Sequence, residues 1–206
     1  MQKLFFVIVI ILGVTTTAFA KNEIVQNTDD FSGLEMVTFK KPLKFERTKG
    51  GFMPVATAWL TPEIARKQDG TVGWIRLRLI VKCNQTGMIT RDPVRASQAN
   101  GGTLKLKLDD NVIELKAINQ LSEVDFDNSL VQGAYYADYT EQSIFSLSPE
   151  QLYTISAAST VKARLTGMND LYYDLPHKHY KIHQDWLEEI RRFYNTAYQQ
   201  GEKDYE

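Results

Sequence analysis

The sequence has a single cysteine, Cys83, and no excess of charge of either sign. One thiol excludes an internal disulfide bond, so the fold must be held together by its core. The 24 basic and 25 acidic residues leave a formal net charge of −1. Such a balance lacks the electrostatic footprint of a protein that binds nucleic acid or anionic membranes.

Motifs that carry catalytic chemistry are also missing. The chain contains no G-x-S-x-G, no H-E-x-x-H, no P-loop and no glycine fingerprint for a dinucleotide. These absences argue against the corresponding hydrolases, metalloproteases and nucleotide-binding enzymes, and they favour a protein without catalytic activity.

The longest apolar run, Leu4–Leu12, is too short for the roughly 20 residues of a spanning helix. Its surroundings are those of a secretory signal peptide, with Lys3 as the basic start and Ala18-Phe19-Ala20 as a small-x-small cleavage site. Residues 1–20 are therefore predicted to be a signal peptide. This implies a periplasmic or secreted protein with no transmembrane segment after cleavage.

Alternating apolar and polar side chains predict antiparallel strands with one wet face. Leu104, Leu106 and Leu108 face one way, for example, and the two intervening lysines face the other. Strands are predicted in this way over residues 35–39, 43–47, 53–60, 73–83, 103–108, 112–118, 133–139, 143–147, 161–165 and 171–175. The polar, aperiodic residues 21–32 predict a mobile tether, and residues 33–206 predict a single β-rich domain.

Two helices are predicted near the C-terminus. Ser148-Pro149-Glu150-Gln151 is a capping box with proline at the first helical position, and it opens a short helix that ends near Ala158. A second, amphipathic helix is predicted over residues 179–200 from the apolar spacing of Ile182, Trp186, Ile190, Phe193 and Ala197. The predicted fold class is α+β: mainly β with two C-terminal helices, as an antiparallel β-sandwich or bent sheet closed by the amphipathic helix.

The segment from Phe145 to Arg164 has the pattern F-x-L-S-P-E-x-L-x-x-I-x-x-A-x-x-V-x-x-R. Asp30-Phe31-Ser32-Gly33 precedes the first predicted strand, and Asp109–Leu115 forms a predicted hairpin. Together these features resemble a group of uncharacterised small bacterial secreted proteins with a β-sandwich-like core. The resemblance implies the same fold and an exported location. The residues that carry the resemblance are structural, so the resemblance implies no catalytic residue.

All three histidines fall within one short segment, as His177, His179 and His183. Neutral imidazoles are good ligands for zinc, copper or nickel, and His179 and His183 would share a helix face. The segment is a candidate transition-metal site, although two neighbouring lysines would repel a cation. The alternative is a solvated helix start whose histidines flank the apolar stripe.

Two further segments are candidates for a contact surface. Tyr135, Tyr136 and Tyr139 lie in one predicted strand, where exposed rings would bind a partner or stack on sugars; the alternative is that at least one side is core. The polar segment Asn84–Gly102 is the longest predicted loop. The acidic segment 123–127 is interpreted as a solvated loop, with a weak calcium site as the minor alternative.

These observations favour an exported, non-enzymatic binding or accessory protein of the cell envelope. Its expected partner is an envelope or extracellular protein or a glycan, and not nucleic acid. The alternative function is a histidine-dependent transition-metal-binding protein or a metal-dependent hydrolase. No cofactor is expected beyond such a metal. The sequence patterns do not indicate whether the protein is a monomer or an oligomer.

Overall fold

Alternating side chains produce strands along much of the chain, and the strands form two antiparallel sheets. The computed structural model describes residues 22–47, 55–86, 102–118, 124–131, 134–167, 172–175 and 180–199. These residues are mainly β, with two helices near the C-terminus. The predicted fold class is therefore confirmed.

The strands and helices have the following bounds. The strands are β1 (Ile24–Thr28), β2 (Glu35–Phe39), β3 (Lys44–Arg47), β4 (Val55–Arg66), β5 (Val72–Thr86), β6 (Thr103–Leu108), β7 (Asn111–Lys116), β8 (Val124–Val131), β9 (Ala134–Leu147), β10 (Val161–Thr166) and β11 (Tyr172–Leu175). The helices are α1 (Pro149–Ala157) and α2 (Tyr180–Phe193), and α2 continues as a π-helical segment, Tyr194–Gln199.

The larger sheet has the strand order β1-β2-β4-β5-β9-β8, with β3 also paired to β4. Strands β2 and β3 both lie along β4, since β2 pairs with its C-terminal half and β3 with its N-terminal half. The smaller sheet has the order β11-β10-β6-β7. In β6 the three leucines are buried and the two lysines are exposed, as the alternation predicts.

The start of α1 confirms the predicted capping box. The Ser148 hydroxyl accepts a hydrogen bond from the Gln151 backbone N–H at 3.1 Å. The Gln151 side chain in turn accepts one from the Ser148 N–H at 2.8 Å. Two of the helix's otherwise unpaired amide groups are satisfied in this way.

Helix α2 packs its apolar stripe against the larger sheet. The Trp186 indole N–H donates to the Leu60 carbonyl at 2.6 Å, and its ring meets the Phe45 ring edge-on at 5.0 Å between centroids. The Phe193 ring lies against the Phe39 ring, with 5.5 Å between the two centroids. Both sheets and both helices contribute to one hydrophobic core, which is consistent with a β-sandwich.

Two arginines connect the C-terminal helical region to the larger sheet and to the residues just before β1. Arg66 is 5% exposed and donates from Nη2 to the Ala197 carbonyl in the π-helical segment. Arg192 donates to the carbonyl of Asn22 and lies over the Phe39 ring, 5.1 Å from its centroid. Helix ends leave carbonyl groups without intrahelical partners, and Arg66 satisfies one in a place that excludes water.

The tether predicted over residues 21–32 is wrong for its central part, since Ile24–Thr28 forms strand β1. This strand pairs with β2 along its whole length, with Ile24 opposite Phe39 and Thr28 opposite Glu35. Its polar residues 26–28 are exposed, as befits an edge strand, and they hide the alternation from a reading of the sequence.

For residues 124–127 of the acidic segment, the interpretation as a solvated loop is also wrong. Asp125 and Asp127 lie in strand β8, opposite Thr140 and Asp138 of β9.

Residues 1–20, which carry the predicted signal peptide, fall outside the described part of the chain. No helix among the described residues combines the length and the apolar character that crossing a membrane requires.

Candidate functional site

The three candidate tyrosines lie in strand β9, next to β8. Tyr135 is opposite Leu130, Tyr136 opposite Ser129 and Tyr139 opposite Phe126. Their side chains fall outside the described structure, so their exposure, and their role in binding, stays a prediction.

The predicted loop Asn84–Gly102 begins later than the sequence suggests. Asn84–Thr86 still belong to strand β5, where Thr86 is opposite Tyr136 of β9. Residues 87–101 lie outside the described ranges. A contact surface in that segment remains a prediction.

Of the three histidines the structure describes only His183, in the first turn of α2, because His177 and His179 fall outside the described residues. His183 is 6% exposed, and its ring stacks on Phe45 with 5.0 Å between centroids and 27° between planes. For His183 the interpretation as a solvated helix start is therefore wrong. Within the described ranges, no group of three or more His, Cys, Asp or Glu residues could hold a metal ion.

The environment of His183 fixes its protonation state. Burial lowers the pKa of the imidazole, and a hydrogen bond with the Phe45 backbone opposes that shift. The ring is therefore neutral near pH 7. Its Nε2 is buried and has no hydrogen-bond partner among the described residues, so we assign the proton to Nδ1, which leaves a lone pair on Nε2.

His183 lines a cleft of about 230 Å³ where three elements meet: the end of β6, the start of β10 and the first turn of α2. This cleft combines cations, hydroxyl groups, an amide and the imidazole. Its lining consists of Lys107, Asp109, Ser159, Thr160, Val161, Lys162, His183 and Gln184.

Asp109 holds the wall of the cleft in place. Its carboxylate accepts hydrogen bonds from the Ser159 N–H at 3.0 Å, the Thr160 N–H at 2.8 Å and the Thr160 hydroxyl at 2.9 Å. These bonds, first the one from Ser159, lower the pKa of Asp109. Its φ of 50° is in the left-handed region that aspartate tolerates. The carboxylate is thus committed to joining the β6–β7 turn to the loop before β10.

Two lysines of the cleft are direct cross-strand partners. Lys107 of β6 is opposite Lys162 of β10, and on its other side Lys107 is opposite the uncharged Val112 of β7. Like charges directly opposite one another destabilise a sheet. No carboxylate among the described residues forms an ion pair with either lysine.

The neighbouring row of the same sheet is neutralised. Lys105 is opposite Arg164, but Lys105 pairs with Glu114 at 3.1 Å. Arg164 forms a two-pronged contact with Asp174, at 2.6 Å from Nε and 3.2 Å from Nη2. The contrast between the two rows makes the Lys107–Lys162 pair an unbalanced charge beside the cleft.

These rows belong to a larger exposed surface, the outward side of the smaller sheet, which we call the basic face. Its described residues include five cations and two carboxylates. Tyr172 is 59% exposed on the same side, with the Arg164 guanidinium 4.6 Å from its ring centroid. The charged members are Lys105, Lys107, Glu114, Lys116, Lys162, Arg164 and Asp174.

Alternation within β6 places its lysines on a wet face but does not show which other strand lies beside them, so this surface was not predicted. The signal was present in the alternation of Lys162 and Arg164 between the apolar residues of 161–165. Finding the surface required knowing that β10 pairs with β6.

The chain matches no protein-family model, no curated protein and no solved structure. The likeness to small bacterial secreted proteins therefore stays a prediction.

Proposed function

We propose that this protein is an exported, non-enzymatic binding module that recognises an acidic glycan of the cell envelope or its surroundings through the basic face. The observation that carries the proposal is the Lys107–Lys162 pair, which has no balancing carboxylate in the described structure. A bound anion would relieve the repulsion between these lysines, so binding of an acidic ligand should stabilise the folded sheet.

The form of the basic face favours a linear acidic polysaccharide. Neighbouring strands lie about 4.8 Å apart and alternate residues on one strand about 6.7 Å apart, so the cations form a regular grid. Charged groups spaced along a sugar chain can contact several of them at once. The exposed ring of Tyr172 offers a surface on which a sugar can stack.

The predicted export supports a glycan over a nucleic acid. Envelope and extracellular polysaccharides share the compartment to which residues 1–20 would direct the chain. The overall charge of −1 also gives little long-range attraction for a highly charged nucleic acid. Recognition would depend on the local surface alone.

Isothermal titration of the purified protein with a linear polyuronate, and with neutral dextran, tests the proposal. We expect binding of the polyuronate and none of dextran. Replacing two lysines (Lys107→Gln with Lys162→Gln) should raise the Kd at least tenfold, equivalent to about 1.4 kcal/mol.

The matched control removes two exposed lysines elsewhere, Lys41→Gln with Lys67→Gln. It changes the net charge by the same amount and should leave the affinity within about twofold. Equal weakening by both pairs of substitutions would reduce the effect to net charge and contradict a site on the basic face. Absence of polyuronate binding would contradict the proposed function itself.

Binding of a transition metal through His177, His179 and His183 is the second candidate. The observation that favours it is the neutral imidazole of His183, whose Nε2 lone pair is unused. A backbone bond that orients the other ring nitrogen is typical of metal-binding histidines. Titration of untagged protein with zinc should then give a Kd well below 100 μM that His179→Ala with His183→Ala abolishes; weaker binding, or binding that survives, contradicts it.

A further inference from the structure

The cleft at the edge of the basic face has features that a flat charged surface does not. His183 is 6% exposed, yet its Nε2 has no hydrogen-bond partner within the described part of the chain. A buried polar atom without a partner carries an unrecovered desolvation cost. Since His183 lines an open cleft, a ligand that enters the cleft is the candidate for supplying the missing donor.

The other groups of the cleft define the complementary part of that ligand. Lys107 and Lys162 contribute two ammonium groups, while Asp109 is already occupied by three hydrogen bonds from Ser159 and Thr160. The free charge of the cleft is therefore positive. An anion is favoured at the lysines and a hydrogen-bond donor at His183.

The size of the cleft limits the ligand to a small unit. Its volume of about 230 Å³ is below the roughly 300 Å³ at which pockets for drug-sized ligands begin. One monosaccharide is of the appropriate scale. The cleft opens beside the row of the sheet that bears the two lysines, so a sugar inside it can belong to a chain lying on the basic face.

We propose that this cleft is a subsite for one uronic acid residue, whose carboxylate contacts Lys107 and Lys162 and whose hydroxyl group donates to Nε2 of His183. This inference rests on the proposed recognition of an acidic glycan and names the sugar that the site selects. The ligand must therefore carry both an anionic group and a hydroxyl group. A neutral sugar lacks the anionic group, and a simple carboxylate lacks the hydroxyl group.

Small ligands separate the two halves of this recognition without altering the protein. Sodium glucuronate offers the carboxylate and the hydroxyls, acetate offers only the charge, and glucose offers only the hydroxyls. Titrations followed by the NMR shifts of the His183 imidazole and the Ser159 and Thr160 amides should saturate with glucuronate. We expect the Kd of acetate and of glucose to be at least tenfold higher.

Glucose 6-phosphate distinguishes the source of the anion. Weaker binding than glucuronate supports the carboxylate assignment, and tighter binding overturns it. Similar affinities for glucuronate and acetate would also overturn the proposal, because His183 would then contribute nothing.

The His183→Phe variant tests the acceptor directly. Phenylalanine can keep the stacking on Phe45 while removing Nε2, and it should raise the Kd of glucuronate at least fivefold with little change for acetate. The Lys41→Gln with Lys67→Gln control should bind glucuronate as the native chain does. An unchanged glucuronate Kd in a folded His183→Phe variant contradicts the subsite.

Failure of the subsite and failure of the proposed function would give different binding results. If the polyuronate binds and depends on Lys107 and Lys162 but not on His183, the basic face stands and the subsite is wrong. If glucuronate binds in the cleft while the polyuronate does not, the glycan-binding function is wrong although the cleft recognises a sugar acid.

Discussion

At the scale of single residues, His183 shows how burial changes the role of a side chain. On a solvated helix start it would titrate near its ordinary pKa and stay available to water. Packed on Phe45 at the first turn of α2, it is instead held neutral by burial. The same packing commits one ring nitrogen to the Phe45 backbone and leaves Nε2 without a partner among the described residues.

This burial predicts a pH dependence of stability. The pKa of His183 is lower in the folded state than its ordinary value of about 6.5, so between those two values the unfolded state binds more protons. The free energy of unfolding should therefore fall as the pH drops through and below about 6.5, until the folded pKa is reached. Urea unfolding at pH 7.5, 6 and 5 measures it.

The His183→Phe variant isolates that contribution, since phenylalanine cannot take up a proton. Its free energy of unfolding should fall less than that of the native protein over the same pH interval. Parallel pH profiles for the two proteins would show that His183 is not the group responsible.

Asp109 provides a second prediction at this scale. Asp109→Asn should lower the melting temperature, because an amide cannot accept at both positions the hydrogen bonds that Ser159 and Thr160 donate. Asp110→Asn, at the exposed neighbouring position, is the control and should melt as the native protein does. The prediction fails if the two variants melt together.

At the scale of elements, α1 depends on a cap and α2 on an anchor. The capping box is local, because Ser148 and Gln151 are only three residues apart in the chain. The anchor is long-range, because the Trp186 indole donates to Leu60 of β4. The cap fixes where a helix begins, and the anchor fixes where a helix lies.

Replacing Trp186 by phenylalanine should cost about 2–3 kcal/mol of stability. The variant loses buried ring volume and leaves the Leu60 carbonyl without its donor. Urea denaturation gives the free energy of unfolding. Trp59→Phe is the control, because Trp59 is only half-buried and its indole makes no hydrogen bond within the described structure; it should cost under about 1 kcal/mol.

At the scale of the whole molecule, a net charge of −1 conceals an uneven distribution. Five cations and two carboxylates lie together on the basic face, so acidic residues must be in excess elsewhere. Net charge therefore bears on solubility, but it does not predict which ligands a local surface can bind. A near-neutral net charge gives little long-range attraction for nucleic acid, but it is compatible with a local anion site.

Local recognition of this kind predicts a strong dependence on salt. Raising ionic strength from about 0.05 M to about 0.3 M shortens the distance over which exposed charges act to below 10 Å. Polyuronate affinity should fall by about tenfold or more over this range, and by less in the variant that lacks Lys107 and Lys162. A Kd that does not change with salt would exclude an electrostatic basis for binding.

The sequence by itself determined the features that depend on neighbours along the chain. The leucine–lysine alternation of β6 and the capping box at Ser148 both follow from short-range spacing, and both were predicted correctly. Strands β1 and β8 were not, because an edge strand rich in polar residues lacks an apolar period. The fold class survived these errors since many other strands carried it.

Tertiary structure decided the candidate site. Lys107 and Lys162 are far apart in the chain and become neighbours only because β10 pairs with β6 in a particular register. His183 becomes a buried acceptor only because α2 lies across Phe45. The physical reason is that strand register and helix placement are chosen by the shared core, so the charges that meet at the cleft are set by the packing of leucines and aromatic rings on the opposite faces.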